Sequence, residues 1–217
     1  MTRCTIDSLL AQDIPVTVFA IDNGSEGLHP VLSSYGKHIS TISHVKRHSL
    51  SSVWNEALSM AFDSLKLEYA LVVNNDVELR PETYRLLLAD GASFVTAVGV
   101  RPREHMASLP DELTRSPHPD FSCFLMRSEV WKRVGKFDER IHAYCGDSDM
   151  HIRMHRAGVE AFSLPIPFYH ASSGTLSMAS PGLVTAICQE ADADRTTFKR
   201  LYGFEAGSPA YYQEFSK

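Results

Sequence analysis

The stretch Tyr69-Ala70-Leu71-Val72-Val73-Asn74-Asn75-Asp76 decides the fold. A short unbroken apolar run that stops at polar turn residues reads as a strand buried on both faces. Such strands belong to α/β sheets, where ligands gather beyond the strand carboxyl ends. This strand delivers two amides and a carboxylate to that rim. A hard divalent cation takes oxygen ligands, and a nucleotide diphosphate can fill the rest of its shell, so one protein carboxylate, Asp76, can suffice. The plain alternative is a polar turn that closes the strand.

On the N-terminal side the pattern repeats. Residues 5–12 read as a short helix. Val16 to Ile21 is a second apolar run, and it ends in Asp22-Asn23-Gly24-Ser25. That tetrapeptide is strong turn chemistry, and Asp22 can also accept hydrogen bonds from a base or ribose. Residues 38–45 alternate weakly as a strand. Residues 49–65 read as a helix with Ser49, Ser51 and Ser52 as candidate caps.

On the C-terminal side, Pro81 opens a helix over 82–88, and 93–100 reads as a strand. Residues 101–120 hold four prolines and read as a loop. A strand follows at 121–126, then helices at 129–134 and 147–156, the latter stopping at Gly158. Residues 161–163 and 168–169 read as short extended pieces. A long helix covers 182–201, and the aromatic tail reads as irregular. Alternating strand and helix in the first half predicts an α/β sandwich on a mostly parallel, mixed central sheet.

Two more segments carry candidate chemistry. In Gly146-Asp147-Ser148-Asp149 the acids suit a helix start, which is the plain reading. A carboxylate there can instead deprotonate an acceptor hydroxyl. Arg153 lies four residues beyond Asp149 and is its natural ion-pair partner, which leaves Asp147 as the freer acid. His170 follows Phe168-Tyr169 and precedes Ala171-Ser172-Ser173-Gly174-Thr175, a placement that suits a metal ligand. Among the aromatic rings, Tyr144 can stack on a sugar, while Trp54 and Trp131 read as core residues.

The 217 residues suit one domain, with 44% hydrophobic and 22% charged residues. The formal net charge of −5 disfavours a polyanion binder. Cys4, Cys123, Cys145 and Cys188 show no knuckle spacing and read as reduced thiols of a cytoplasmic protein. No apolar run reaches the ~18 residues of a bilayer span, so membrane attachment is expected to be peripheral at most.

In order and spacing, these segments resemble the inverting family 2 glycosyltransferases of GT-A fold, a Rossmann-like α/β/α sandwich. SLLAQDIPVTVFAIDNGSEG (8–27) is similar to the family's helix, strand and Asp-Asn-x-Ser turn. SLSSVWNEAL (49–58) resembles its Asn-containing helix beneath the nucleotide, which brings in Asn55. YALVVNNDVELRPETYRLLL (69–88) resembles the D-x-D segment written Asn-Asn-Asp. VGKFDERIHAYCGDSDMHIRMHRAG (134–158) resembles the segment with the catalytic acid, and FYHASSGT (168–175) the downstream histidine segment.

The resemblance implies one glycosyltransferase domain over 1–217, with a nucleotide-sugar half at 1–100 and an acceptor half at 101–217. It implies Mn²⁺ or Mg²⁺ on Asp76 and His170, nucleotide contacts from Asp22, Asn23, Asn55, Asn74 and Asn75, and Asp147 as base. The donor would be a UDP-, GDP- or dTDP-sugar. The acceptor is left open among a glycan, a lipid-linked sugar, a small molecule, a protein and a modified nucleobase, the last in a viral setting. A non-catalytic nucleotide-sugar module and a nucleotidyltransferase are the competing classes. Two departures stand out. The family's usual first strand is not found ahead of MTRCTIDSLL, and Gly146-Asp147 stands where the family often has Glu-Asp.

Overall fold

The computed structural model describes residues 1–171 and 179–216. Ser172, Ser173, Gly174 and Thr175 of the histidine segment lie outside them. The chain opens with helix α1 (Thr2–Leu10), then strand β1 (Val18–Asp22), a short helix α2 (His29–Ser33) and strand β2 (Ile39–Ser43). Helix α3 (Leu50–Ser59) continues into a π-helical turn, Met60–Ser64, and leads to β3 (Tyr69–Val73). Next come β4 (Val77–Glu78), α4 (Thr83–Asp90) and β5 (Phe94–Val100). Beyond the proline-rich loop lie β6 (Cys123–Arg127), α5 (Ser128–Val134), α6 (Gly146–Arg156) and β7 (Phe162–His170). Helices α7 (Pro181–Tyr202) and α8 (Pro209–Glu214) close the chain.

The strands form a five-stranded sheet, ordered β3-β6-β5-β7-β4, and a two-stranded parallel sheet of β1 and β2. The larger sheet interleaves strands from both sides of residue 100. The α/β class and the mixed sheet agree with expectation, but within that sheet only β5 and β7 run parallel. The reversal comes from β6, which returns antiparallel between β3 and β5 after the long loop.

Alternation along the strands fills two cores. On β6, Phe124 and Met126 face one cluster with Trp54, Leu58, Trp131, Phe137 and Met150. Cys123 and Leu125 face the other, with Leu87, Val95, Leu164, Ile166 and Phe168. A strand buried on both faces needs helices on both sides, which makes the sheet the middle layer of a sandwich. The indoles of Trp54 and Trp131 are core residues, as expected, and Trp131 also donates its ring N–H to Asp63.

Three segments differ from their sequence reading. The pieces at 161–163 and 168–169 are parts of one strand, β7. Its register against β5 jumps between Thr96↔Ser163 and Val98↔Pro167, so Pro165 sits in an irregularity where no ladder N–H is required. The tail holds a helix, α8, started by Ser208 and capped through its hydroxyl. Helix α2 is too short for its periodicity to show in sequence.

Asn55 ties α3 to the segment that follows α5. It is 3% exposed, and its amide nitrogen donates to the Phe137 carbonyl and to Glu139, both at 2.9 Å. Its amide oxygen accepts the Phe137 N–H at 2.8 Å. Asn55→Ala leaves a buried N–H and carbonyl unpaired and is expected to cost about 2–4 kcal/mol, read from the urea midpoint at unchanged slope.

The tail covers His151 on α6. The ring stacks on Phe215 with centroids 4.0 Å apart and shares a hydrogen bond of 3.0 Å with the Tyr211 hydroxyl. Burial, reinforced by His155 and His118, pushes its pKa down to about 4. The unfolded chain binds the proton near pH 6.5 and the folded chain does not. Stability is therefore full above about pH 6.5 and falls as pH drops toward 4. In urea titrations across that window, His151→Phe is expected to show a shallower loss than the parent protein.

Candidate active site

Strand pairing sets the first part of the site. β4 runs antiparallel to the end of β7 with Val77 opposite His170. That register brings His170 Nε2 to 3.3 Å from Asp76 Oδ1, and the Ala171 N–H donates to the Asp76 carbonyl at 2.9 Å. Arg101 fixes the same corner by donating to the carbonyls of His170 and Ala171. Neighbouring ligands on one small divalent ion lie roughly 3 Å apart when bonds are about 2.1 Å. At this spacing Asp76 and His170 touch directly, and they also match two neighbouring ligand positions of one divalent ion, the carboxylate oxygen being the donor that suits Mn²⁺ or Mg²⁺. Among the described residues no cluster of three or more His, Cys, Asp or Glu forms here, so the fit is to a two-residue site.

A cleft of about 360 Å³ opens beyond the strand ends. Asn74 and Trp54 line one side, Asp120 and Phe121 another, and the segment from His142 to Asp147 the third. Asn74 is placed by its N–H, which donates to the Ser122 carbonyl at 3.0 Å and so extends the β3–β6 ladder past Val73. Tyr144 is exposed and lines the cleft.

Asp147 lies in the first turn of α6, and its Oδ1 accepts the Ser148 N–H at 2.7 Å. Asp147 is exposed by surface area and lines the cleft, yet protein atoms crowd its carboxylate there. Loss of bulk water is the chief cause that raises its pKa, and the negative charge of Asp120 adds to the rise. Hydrogen bonds from the helix start pull the other way without cancelling it. A raised carboxyl in a cleft is poised for proton transfer.

At Gly146, where the family often has Glu, the space for a side chain is tight. A Cβ there would lie 3.2 Å from the Ser51 hydroxyl oxygen, so α6 starts close against α3. Gly24 is also confined: its φ is +74° and a Cβ would lie 2.6 Å from the backbone of Lys46 and Arg47.

Asp120 is the residue that sequence reasoning missed. Its carboxylate accepts the Gly99 N–H at 3.0 Å and the Ser122 N–H at 2.9 Å. A Cβ on Gly99 would meet both Asp120 Oδ2, at 2.9 Å, and the His170 Cβ, at 3.3 Å. Asp120 thus stands between the Asp76–His170 pair and Asp147. The only sequence signal was an acid just ahead of an apolar strand, and the surrounding prolines hid it.

The remaining expected residues fall into place unevenly. Asp22 is 5% exposed at the end of β1, and its Oδ1 accepts the Ser25 N–H at 2.9 Å. Asn23 pairs with the backbone of His48 in both directions, at 3.0 and 2.8 Å. Asn55 is committed to Phe137 and Glu139, and Asn75 is exposed beside Asp76. None of these four lines the 360 Å³ cleft.

Asp149 and Arg153 form the expected pair, with Arg153 Nη2 at 2.7 Å, but the pair is not a surface one. Asp149 is 2% exposed and also accepts the Tyr202 hydroxyl at 2.6 Å. A loss of no more than about 1 kcal/mol holds for exposed pairs; breaking a buried one costs more.

Comparison with known proteins bears on the fold and the family. Among solved structures, one similar chain is GalNAc-T7 with UDP, GalNAc and Mn²⁺, at 14% identity and a TM-score of 0.60. The alignment covers 76% of this chain and 40% of that one, so the chain spans well under half of that protein's length. None of the curated proteins matches the sequence. No helix among the described residues is long and apolar enough to cross a membrane. The model of Glycosyl transferase family 2 matches residues 1–153, and with that match over more than half of its length, and the GT-A-like sandwich beneath it, the chain belongs to glycosyltransferase family 2.

Proposed function

We propose that this protein transfers a sugar from a nucleotide-diphosphate sugar to an acceptor hydroxyl, with inversion at the anomeric carbon. The observation that carries the reading is one rim of one sheet that holds an Asp76–His170 pair, Asp120 and a cleft-facing Asp147 with a raised pKa. Asp76 and His170 would hold Mn²⁺ or Mg²⁺, which supplies charge stabilisation for the departing diphosphate when bound. Because the GalNAc-T7 structure holds UDP and Mn²⁺, a UDP-sugar is the first donor to test.

The chain's own residues do the rest. Asn74 presents its amide to the cleft for a ribose or sugar hydroxyl. Asp22 accepts from the nucleoside, with Asn23 holding its turn against His48. Asn75 sits at the edge beside Asp76, and Asn55 acts indirectly by holding Phe137 and Glu139. Asp147 takes the proton as the acceptor oxygen attacks the anomeric carbon from the face opposite the leaving diphosphate. The Tyr144 ring offers a stacking surface for the acceptor.

Incubation with a panel of UDP-, GDP- and dTDP-sugars and Mn²⁺ tests the activity, with released nucleoside diphosphate as the readout. Release of pyrophosphate from a sugar phosphate and nucleoside triphosphate would instead indicate a nucleotidyltransferase. Tight binding with no turnover, with or without acceptors, would indicate a binding module.

The metal assignment predicts that Asp76→Ala removes most Mn²⁺-dependent UDP binding in calorimetry, and that His170→Ala weakens it less. Binding unchanged in both variants sinks the assignment. The base assignment predicts an activity that rises with pH through a limb lying above the ordinary carboxylate range, since Asp147 must be ionised to accept a proton. Asp147→Asn is expected to cut transfer by roughly 10²-fold or more and to leave UDP affinity nearly intact. An active variant with the same acid limb would remove Asp147 from the mechanism.

A further inference from the structure

Helix α7 begins after the last residue of the family match at 153, yet it grips both loops that border the site. Asp194 on α7 is 1% exposed. Its Oδ1 accepts the His142 N–H at 2.8 Å, and its Oδ2 accepts the N–H groups of Ala143 at 2.7 Å and Tyr144 at 2.8 Å. A carboxylate that takes three successive backbone donors holds them strongly, because each bond is charge-assisted.

The same segment is held from the opposite side by α3. Ser51 donates its hydroxyl to the Ile141 carbonyl at 2.7 Å, and the Leu50 N–H donates to the His142 carbonyl at 2.7 Å. With carbonyls fixed by α3 and N–H groups fixed by α7, residues 141–144 have little freedom. The next residue, Cys145, has φ +63° with a side chain present, a left-handed conformation that persists only where its surroundings impose it. Immediately after it, α6 begins and presents Asp147.

One helical turn before Asp194, Glu190 binds Arg47 through both guanidinium arms, at 2.7 and 2.6 Å. Arg47 lies in the loop after β2, where His48 holds Asn23 beside Asp22. One face of α7 therefore reaches the acceptor loop through Asp194 and the nucleotide loop through Glu190.

We infer that α7 is a strap across the two halves of the site, and that Asp194 is a positioning residue that sets the placement of Asp147 through residues 142–145. The inference rests on the reading of Asp147 as the base. Strap and base make separable predictions, because the strap also has a readout that needs no activity.

The test uses Asp194→Asn and Glu190→Gln in the full chain, with UDP and Mn²⁺ as binding probe and the donor found in the panel as substrate. In Asp194→Asn, amide hydrogen exchange at His142, Ala143 and Tyr144 should accelerate, and kcat for transfer should fall roughly 10- to 100-fold, the effect of a small misplacement of a reacting group. UDP affinity should stay within about twofold, since Asp194 holds the acceptor loop and does not touch the nucleotide loop. Glu190→Gln should show the opposite split, with donor KM raised about two- to fivefold, the scale of one partly exposed ion pair. Should Asp194→Asn not fold, Asp194→Glu, which keeps the charge and displaces it, carries the same expectations. Unchanged exchange at 142–144, or loosened amides with wild-type kcat, overturns the positioning role. Normal transfer by Asp147→Asn strikes at the base instead, and hydrogen exchange then still decides whether Asp194 holds the loop.

Discussion

One backbone hydrogen bond organises the site: Asn74 N–H to the Ser122 carbonyl, 3.0 Å, the rung just past the last β3–β6 pair. It fixes where β3 stops and where the proline-rich loop rejoins the sheet. Asn74 and Asp120 thereby both line one cleft. Asp120 then ties the rung to β5 through the Gly99 N–H, and β5 is the parallel partner of β7, which ends at His170. A shift of that rung by one residue would turn every side chain of β6 to the other face, and the two cores would exchange Phe124 and Met126 for Cys123 and Leu125. The packing of large aromatic rings on one side forbids it.

The acidic cluster on α6 shows how burial divides roles between similar residues. Asp147 and Asp149 are two positions apart, so they point away from each other on the helix. Asp149 faces inward, where Arg153 and Tyr202 satisfy it and the last turn of α7 is held against α6. Asp147 faces the cleft, where its carboxylate meets only the helix start and the field of Asp120. The first is held in place by its hydrogen-bond partners, and the second has its pKa raised by its surroundings. Sequence spacing alone separated these two, because Arg153 stood at the fourth position from one of them.

What else the sequence revealed follows the range of the forces involved. Tyr69–Val73 was legible to the residue, because an apolar run that meets three polar residues is a local signal. β7 was not, because two prolines in a strand argue against it unless the bulge in β7 itself is known. Asp76 and His170 are 94 positions apart in the chain and were paired only through the resemblance; the register of β4 on β7 then supplied the contact. Asn55 was read as a nucleotide contact, and its partners are backbone atoms of Phe137 that no pattern announces. Asp194 reads in sequence as one acid among several on a polar helix, and only tertiary contact shows it buried on three amides.

Charge around the cleft bears on why the proposed chemistry needs a cation. Among the described residues, those that line it include Asp120 and Asp147 and no lysine or arginine. A diphosphate brought to that rim by itself would face two carboxylates in a partly dry setting, where like charges repel more strongly than in water. Arg101, on the Asp76 side, has its guanidinium on the carbonyls of His170 and Ala171, and Arg47 is bound to Glu190. In the proposed reading the offset comes from the Asp76–His170 pair, which would place a divalent charge between the diphosphate and the acids.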